Sequence, residues 1–358
     1  MSSIPAVSTR TAFLRLGTRR SALATTQSRW VAERVASHAA VAVELVEVTT
    51  YGDLAAATLA SMGGTGVFVT ALRDALLAGQ VDLAVHSLKD LPTAPAPGLV
   101  VAAIPQRQDP RDVLVSRDGR TLGELPSGAR IGTGSPRRAA QLRALGLGFE
   151  VVDLRGNVDT RLGAVAQGRL DAVVLARAGL LRLGREGEAA EVLDPLLMLP
   201  APGQGALAVE CRADDAAVVA MLAGIDHLPS RVAVTAERAL LAELEAGCAA
   251  PLGALAETVE GDDGEELYLR AVVASVDGAV TLRRSSVGTL PGALDPRPLG
   301  GALATVLRGA AALGQALARE LIEDGAADLV VRVGGSIPVA DITEDPAPST
   351  GTAREGDL

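Results

Sequence analysis

Lys89 and Asp90 stand together in the run His86-Ser87-Leu88-Lys89-Asp90, and Lys89 is the only lysine among 358 residues, all other members of the 33 lysines and arginines being arginine. A carboxylate delivered to a pocket by a strand end can accept hydrogen bonds from substrate N–H groups and stabilise a developing cation. An ammonium is a compact, adjustable donor, whereas a guanidinium is a planar fork. A lysine kept in a chain that otherwise uses arginine therefore points to a task the fork does not perform. His86 reads either as a base or as a satisfied histidine at a strand end, and Ser87 and Gln204 are further polar candidates.

A second set of residues is suited to anions. In Thr133-Gly134-Ser135-Pro136-Arg137-Arg138, Ser135 is a natural N-cap and Pro136 a natural first helical residue. The free N–H groups of such a helix start bind anions, and two arginines in its first turn oppose the helix dipole unless an anion from outside offsets them. Arg155-Gly156-Asn157-Val158-Asp159-Thr160-Arg161 and Thr18-Arg19-Arg20-Ser21 repeat the arrangement after other strands. Between residues 130 and 185 ten arginines face four acids, a stretch of +6 in a chain of net charge −10. Arginine-bearing strand ends around one cleft imply a small ligand with several carboxylates or phosphates. The bland alternative is arginine spread over solvated helix faces.

Cys248, in Glu245-Ala246-Gly247-Cys248-Ala249-Ala250-Pro251, reads as an accessible thiol on a loop after a capped helix, able to attack an electrophile. Cys211 follows a strand and reads as buried and inert. Two cysteines make no disulfide framework, and no Cys/His cluster suggests a metal. Net negative charge and 2% aromatic residues argue against a nucleic-acid binder. No apolar run of about 20 residues predicts a membrane span, and Met1–Arg15 lacks a signal-peptide core. A cytoplasmic, soluble, globular protein is expected.

The elements that must position these residues alternate strand and helix. Strands are predicted at 14–16, 41–49, 81–86 and 100–104, with helices from 22 to about 35 and from 67 to 77, the latter after a glycine loop at 63–66. A second series places strands at 113–115, 130–132, 150–154 and 172–175, with helices at 136–144 and 158–167. Pro200-Ala201-Pro202-Gly203-Gln204-Gly205 reads as a hinge, after which 207–210 returns to the first unit. Two α/β lobes joined by crossing segments form a cleft, the arrangement of periplasmic-binding-protein-like folds. A helix at 230–243, strands near 267–273 and 279–287 and a long helix at 299–323 predict a smaller C-terminal α+β domain. The expected division is 13–106 with 204–224, then 107–203, then 225–340, with 341–358 a disordered tail.

In combination these motifs resemble the hydroxymethylbilane synthase, or porphobilinogen deaminase, family. The resemblance runs from about Phe13 to Gly335. It rests on Arg15-Leu16-Gly17-Thr18-Arg19-Arg20-Ser21-Ala22-Leu23-Ala24, His86-Ser87-Leu88-Lys89-Asp90-Leu91-Pro92, Asp109-Pro110-Arg111-Asp112, Gly132 to Arg138, Arg155-Gly156-Asn157, Pro202 to Ala206 and Gly247-Cys248. It implies a transferase that condenses four porphobilinogen molecules head to tail, with loss of ammonia, on a covalent dipyrromethane cofactor. It also implies a thioether from the cofactor to Cys248 and Asp90 as the catalytic carboxylate, stabilising the azafulvenium cation left when ammonia departs. Arg19, Ser21, Lys89, Thr133, Ser135, Arg137, Arg138, Arg155 and Arg161 would bind the carboxylates of cofactor and growing chain. No nucleic acid or membrane partner and a monomer are expected. A non-catalytic anion-binding protein with the same two-lobed fold also accounts for the arginines, but neither requires Asp90 nor explains a third domain presenting Cys248.

Overall fold

The computed structural model describes residues 13–48, 65–244, 251–261, 264–290 and 301–331. The chain begins with β1 (Phe13–Thr18), α1 (Ala22–Ala39), β2 (Ala42–Glu47), α2 (Thr65–Leu77), β3 (Leu83–Ser87) and β4 (Leu99–Ala103). It then crosses to a second unit: β5 (Asp112–Ser116), β6 (Arg130–Gly132), α3 (Pro136–Ala144), β7 (Glu150–Val152), α4 (Val158–Ala166), β8 (Ala172–Ala176), α5 (Arg177–Arg182) and β9 (Glu191–Val192). A second crossing returns it as β10 (Leu207–Arg212), followed by α6 (Ala216–Ala223). The third unit contains α7 (Leu228–Glu243), β11 (Leu252–Gly261), β12 (Gly264–Ala274), β13 (Thr281–Thr289), α8 (Gly301–Glu323) and α9 (Ala326–Val331).

The two lobes are built alike. The first sheet has the order β2-β1-β3-β10-β4 and the second β7-β6-β8-β5-β9. In each, the first three strands are parallel and the fourth runs against its neighbours. Those fourth strands, β10 and β5, are the ones the two crossings deliver. Four consecutive positions of β3 (Leu83–His86) and of β8 (Ala172–Leu175) are buried, as expected where helices cover both faces of a sheet. With few aromatic residues, the cores are filled by Leu, Val and Ala.

The crossing segments touch backbone to backbone. Gly205 has φ +87°, and a Cβ there would lie 2.4 Å from Gln108 O, so only glycine fits the motif at this point. In the third unit α7 and α8 lie against the antiparallel sheet β11-β12-β13 and share one core with it.

Several expected boundaries shift. Helix α2 starts at Thr65, so Gly66 is helical and does not belong to the preceding loop. Helix α7 starts two residues before the predicted Ser230, capped by the His227 side chain. The expectations for Gly63, Gly64, Cys248 and the tail from 341 fall outside the described residues. No single helix among the described residues is long and apolar enough to cross a membrane.

Candidate active site

The parallel strands of both lobes end at a cavity of about 620 Å3. Beyond β1 come Arg19 and Ser21, whose Oγ accepts the Ala24 N–H of α1 at 3.3 Å. Beyond β3 a 3-10 turn, Leu88–Asp90, presents Lys89 and Asp90. Beyond β6, Ser135 caps α3 by accepting the Arg138 N–H at 3.5 Å, and beyond β7, Asn157 caps α4 by accepting the Thr160 N–H at 2.8 Å. Arg19, Lys89, Arg138, Arg161 and Arg182 line the cavity, with Asp90 and Asp159 as its acids. Ser21 and Ser87 also line it, and Ser87 exchanges hydrogen bonds with Gln27. Asp159 is paired with Arg185. Asp90 accepts no hydrogen bond from the described residues.

The two arginines of α3 require a correction. The anion that offsets them belongs to the chain itself: Asp112, fully buried at the start of β5. Arg137 Nη2 donates to Asp112 Oδ2 at 2.8 Å and its Nη1 to Leu199 O at 2.6 Å. Arg138 donates to Asp112 Oδ1 from Nε (3.1 Å) and Nη2 (2.8 Å), and from Nη1 to Val174 O at 2.9 Å. Burial alone would raise the Asp112 carboxyl. The Arg137 and Arg138 charges, with hydrogen bonds from Arg138 and Gln204, override it and bring it to about 2. Arg137 is consequently absent from the described residues lining the cavity, whereas Arg138 reaches it.

Gln204 is the junction between this ion group and Lys89. Its Nε2 donates to Asp112 Oδ1 (2.8 Å) and Pro110 O (2.7 Å), and its Oε1 accepts from Lys89 Nζ at 3.3 Å. Burial pulls the Lys89 ammonium down to about 8, against the pull of Asp90 and with the help of Arg138. Burial and the neighbouring Arg138 likewise lower Arg161, whose Nε donates to Gly156 O at 3.0 Å. Arg182, on α5, was not among the expected site residues. Its Nη2 donates to Gly205 O at 2.6 Å, and burial lowers it to about 10. Its one signal in the sequence is membership of the basic stretch.

Other candidates lie off the cavity. The Nε2 of His86 sits 3.2 Å from Glu210 Oε2, outside hydrogen-bond geometry, and Glu210 also binds Arg73 at 3.0 Å. This buried group contradicts the reading of His86 as a base in the cleft. Thr133 Oγ1 accepts the Ser135 N–H at 3.2 Å, shaping the helix start. The Arg155 side chain is 70% exposed and lies 3.6 Å from Asp153. Cys211 is buried, and burial, with Asp215 nearby, pushes its thiol up to about 11, consistent with an inert role.

The arrangement can bind several carboxylates at once while offering N–H groups the Asp90 carboxylate, which accepts no hydrogen bond from the described residues. Two family models match: "Porphobilinogen deaminase, dipyromethane cofactor binding domain" over residues 14–220, and "Porphobilinogen deaminase, C-terminal domain" over 232–323. A porphobilinogen deaminase of Nocardia farcinica is 57% identical over 332 residues, covering 91% of this chain and 90% of that protein. Porphobilinogen deaminase 1 of Streptomyces coelicolor is 56% identical over 322 residues, covering 88% and 97%. Among solved structures, a putative methionine-binding lipoprotein of Bacillus subtilis matches 60% of this chain and 90% of its own at 13% identity, with a TM-score of 0.37.

Proposed function

The chain belongs to the porphobilinogen deaminase family, and on that premise we propose how its own residues carry out the family's reaction. The enzyme condenses four porphobilinogen molecules head to tail on a dipyrromethane cofactor, releasing ammonia at each step, and water then cleaves the chain from the cofactor as hydroxymethylbilane. The cavity fits that cofactor. Its lining carries Arg19, Lys89, Arg138, Arg161 and Arg182 for acidic side chains, and an Asp90 carboxylate that accepts no hydrogen bond from the described residues. Bound dipyrromethane supplies the primer to which the first substrate is joined, and we assign its attachment to Cys248.

In the proposed mechanism, Arg19, Ser21, Lys89, Arg138 and Arg161 bind carboxylates, aided by Arg155 from the rim and by Arg182. Thr133 and Ser135 shape the start of α3, whose dipole favours an anion. Asp90 accepts the pyrrole N–H of the incoming substrate. When the aminomethyl C–N bond breaks and its electron pair leaves with nitrogen, positive charge spreads over that ring, and the carboxylate stabilises it. Arg137 acts through Asp112 and Arg138 by setting the floor of the site, and Gln204 orients Lys89.

Because a pyrrolylmethyl group passes from substrate to growing chain, we class the enzyme as a transferase. We read it as a cytoplasmic monomer with units 13–106 with 204–224, 107–203 and 225–340. The observation that carries the reading is the Asp90 carboxylate, which accepts no hydrogen bond from the described residues, in a cavity lined by Arg19, Lys89, Arg138, Arg161 and Arg182. Ammonia release from porphobilinogen by the wild type and by Asp90→Asn tests it.

A further inference from the structure

Arg238 lies on α7, in the unit that follows the two lobes, yet its side chain ends on the first lobe. Its Nη1 donates to Leu88 O at 3.2 Å and to Leu91 O at 2.9 Å, and its Nη2 to Pro92 O at 2.6 Å. These carbonyls bracket the turn Leu88–Asp90. The backbone itself contributes the Leu91 N–H to Leu88 O (3.1 Å) and the Leu88 N–H to Ala206 O (3.0 Å). A one-turn element is too short to order its own carbonyls, and a charged planar fork spread over three of them fixes their relative orientation.

The same helix reaches the turn by packing as well. Val234, one helical turn before Arg238, shares a buried cluster with Leu88, Leu91 and Ala206. Glu237, adjacent to Arg238, points elsewhere. Fully buried, it accepts from Arg107 Nη1 at 2.6 Å, from the Gly203 N–H at 2.6 Å and from the Ala256 N–H at 2.9 Å. Arg107 and Gly203 belong to the two crossing segments. Consecutive residues of α7 therefore grip the hinge and the turn that carries Lys89 and Asp90.

We propose that Arg238 is a positioning residue for the condensation. It sets the place of Asp90 from a helix of the third unit, by holding the carbonyls on either side of the turn that carries it. This rests on the role of Asp90 given above. A residue that merely fastened the third unit to the first would contribute to stability without selecting kcat.

The test uses Arg238→Gln and Arg238→Lys as cofactor-loaded enzymes, with cofactor content read by intact mass, thermal melts, and kcat separated from KM. The same Arg238→Gln change is made in an Asp90→Glu background, where the carboxylate is already displaced. Arg238→Gln is expected to keep its cofactor and to lose kcat roughly 10- to 100-fold with KM within about twofold. Arg238→Lys is expected to fall between it and wild type. In the Asp90→Glu background the loss is expected to shrink below about threefold, because both changes disturb one geometry. Unchanged kcat in Arg238→Gln, or an equal loss in both backgrounds, overturns the proposal. If Arg238→Gln fails to assemble, wild-type kcat in Arg238→Lys overturns it and a reduced kcat with full cofactor supports it. Failure of the underlying reading appears separately, as wild-type kcat in Asp90→Asn.

Discussion

Arg137 Nη2 lies 2.8 Å from Asp112 Oδ2, and both side chains are buried. An arginine at the start of a helix in an anion-binding protein here spends its charge on a carboxylate of its own chain. The relationship divides the arginines of the site into two groups with different consequences when lost.

Arg137→Leu should act on folding. Breaking one side of a buried ion group strands the other, at a cost of about 3–5 kcal/mol, and urea melts should show it. Arg161→Leu should change stability by less than about 1 kcal/mol but impair cofactor assembly or chain elongation. The Asp112 carboxyl, near 2 when folded and about 3.9 in an unfolded chain, adds a pH signature. Its contribution is complete above pH 4 and is lost as pH falls through 2, so Asp112→Asn should flatten the acid limb of the stability profile. Equal melts for Arg137→Leu and wild type would return Arg137 to the ligand-binding group.

Asp90→Asn should fold, load cofactor and bind porphobilinogen with little change in KM, yet lose most of its turnover. An amide keeps an acceptor oxygen but supplies no charge for the cation formed on ammonia loss. Steady-state kinetics decide the matter: a rise in KM with kcat retained would make Asp90 a binding residue.

The purified enzyme should be heavier than its sequence by one covalent dipyrromethane. Cys248→Ala should abolish this adduct, and Cys211→Ala, whose thiol is buried and raised to about 11, should keep it. Intact mass spectra of the two variants are sufficient, and an adduct surviving in Cys248→Ala would refute the attachment site.

Lys89 should titrate near 8 in cofactor-free protein and higher once carboxylates occupy the cavity. Its folded value lies below its unfolded value near 10.4, so the unfolded chain holds the extra proton between these limits. Stability of the cofactor-free chain should therefore rise with pH from 8 to above 10. Because it is the only lysine, 13C reductive methylation leaves its signal to be separated only from that of the α-amino group. Lys89→Arg should fold but lower kcat/KM, since a fork can pair bidentately with Asp90. Wild-type kinetics in that variant would show that any cation suffices.

Much of the fold was legible from local punctuation. The Gly132–Pro136 stretch predicts the end of β6 and the start of α3 as observed, because a glycine, a capping serine and a proline leave few alternatives. The β11 strand was missed: Leu252–Gly261 opens with Leu-Gly-Ala-Leu-Ala, which has no period-2 pattern since its first five positions are all buried. Helix α5, only Arg177–Arg182, is too short to show a period, and Arg182 was missed with it. Asp112 was visible in a motif, but its role was not. Pairing it with Arg137 and Arg138 needs β5 to lie beside β8 and beneath α3, a relation between segments 25 and 26 residues apart. His86 went the other way: its neighbours in sequence suggested the cleft, and its partner Glu210 comes from β10, which enters the sheet after the second lobe.

That late entry of β10 has a consequence for biosynthesis. The second lobe is one continuous stretch, and its sheet can close as soon as β9 has been made. The first lobe begins earlier and finishes later, because β10 fills the gap between β3 and β4. Until Arg212 has left the ribosome, those two strands face an empty lane with unpaired edges, and about 100 residues of other structure form in between. The N-terminal lobe is thus the last of the pair to mature on a growing chain. Nascent chains truncated before residue 207 should hold a protease-resistant second lobe beside a first lobe that is still digestible.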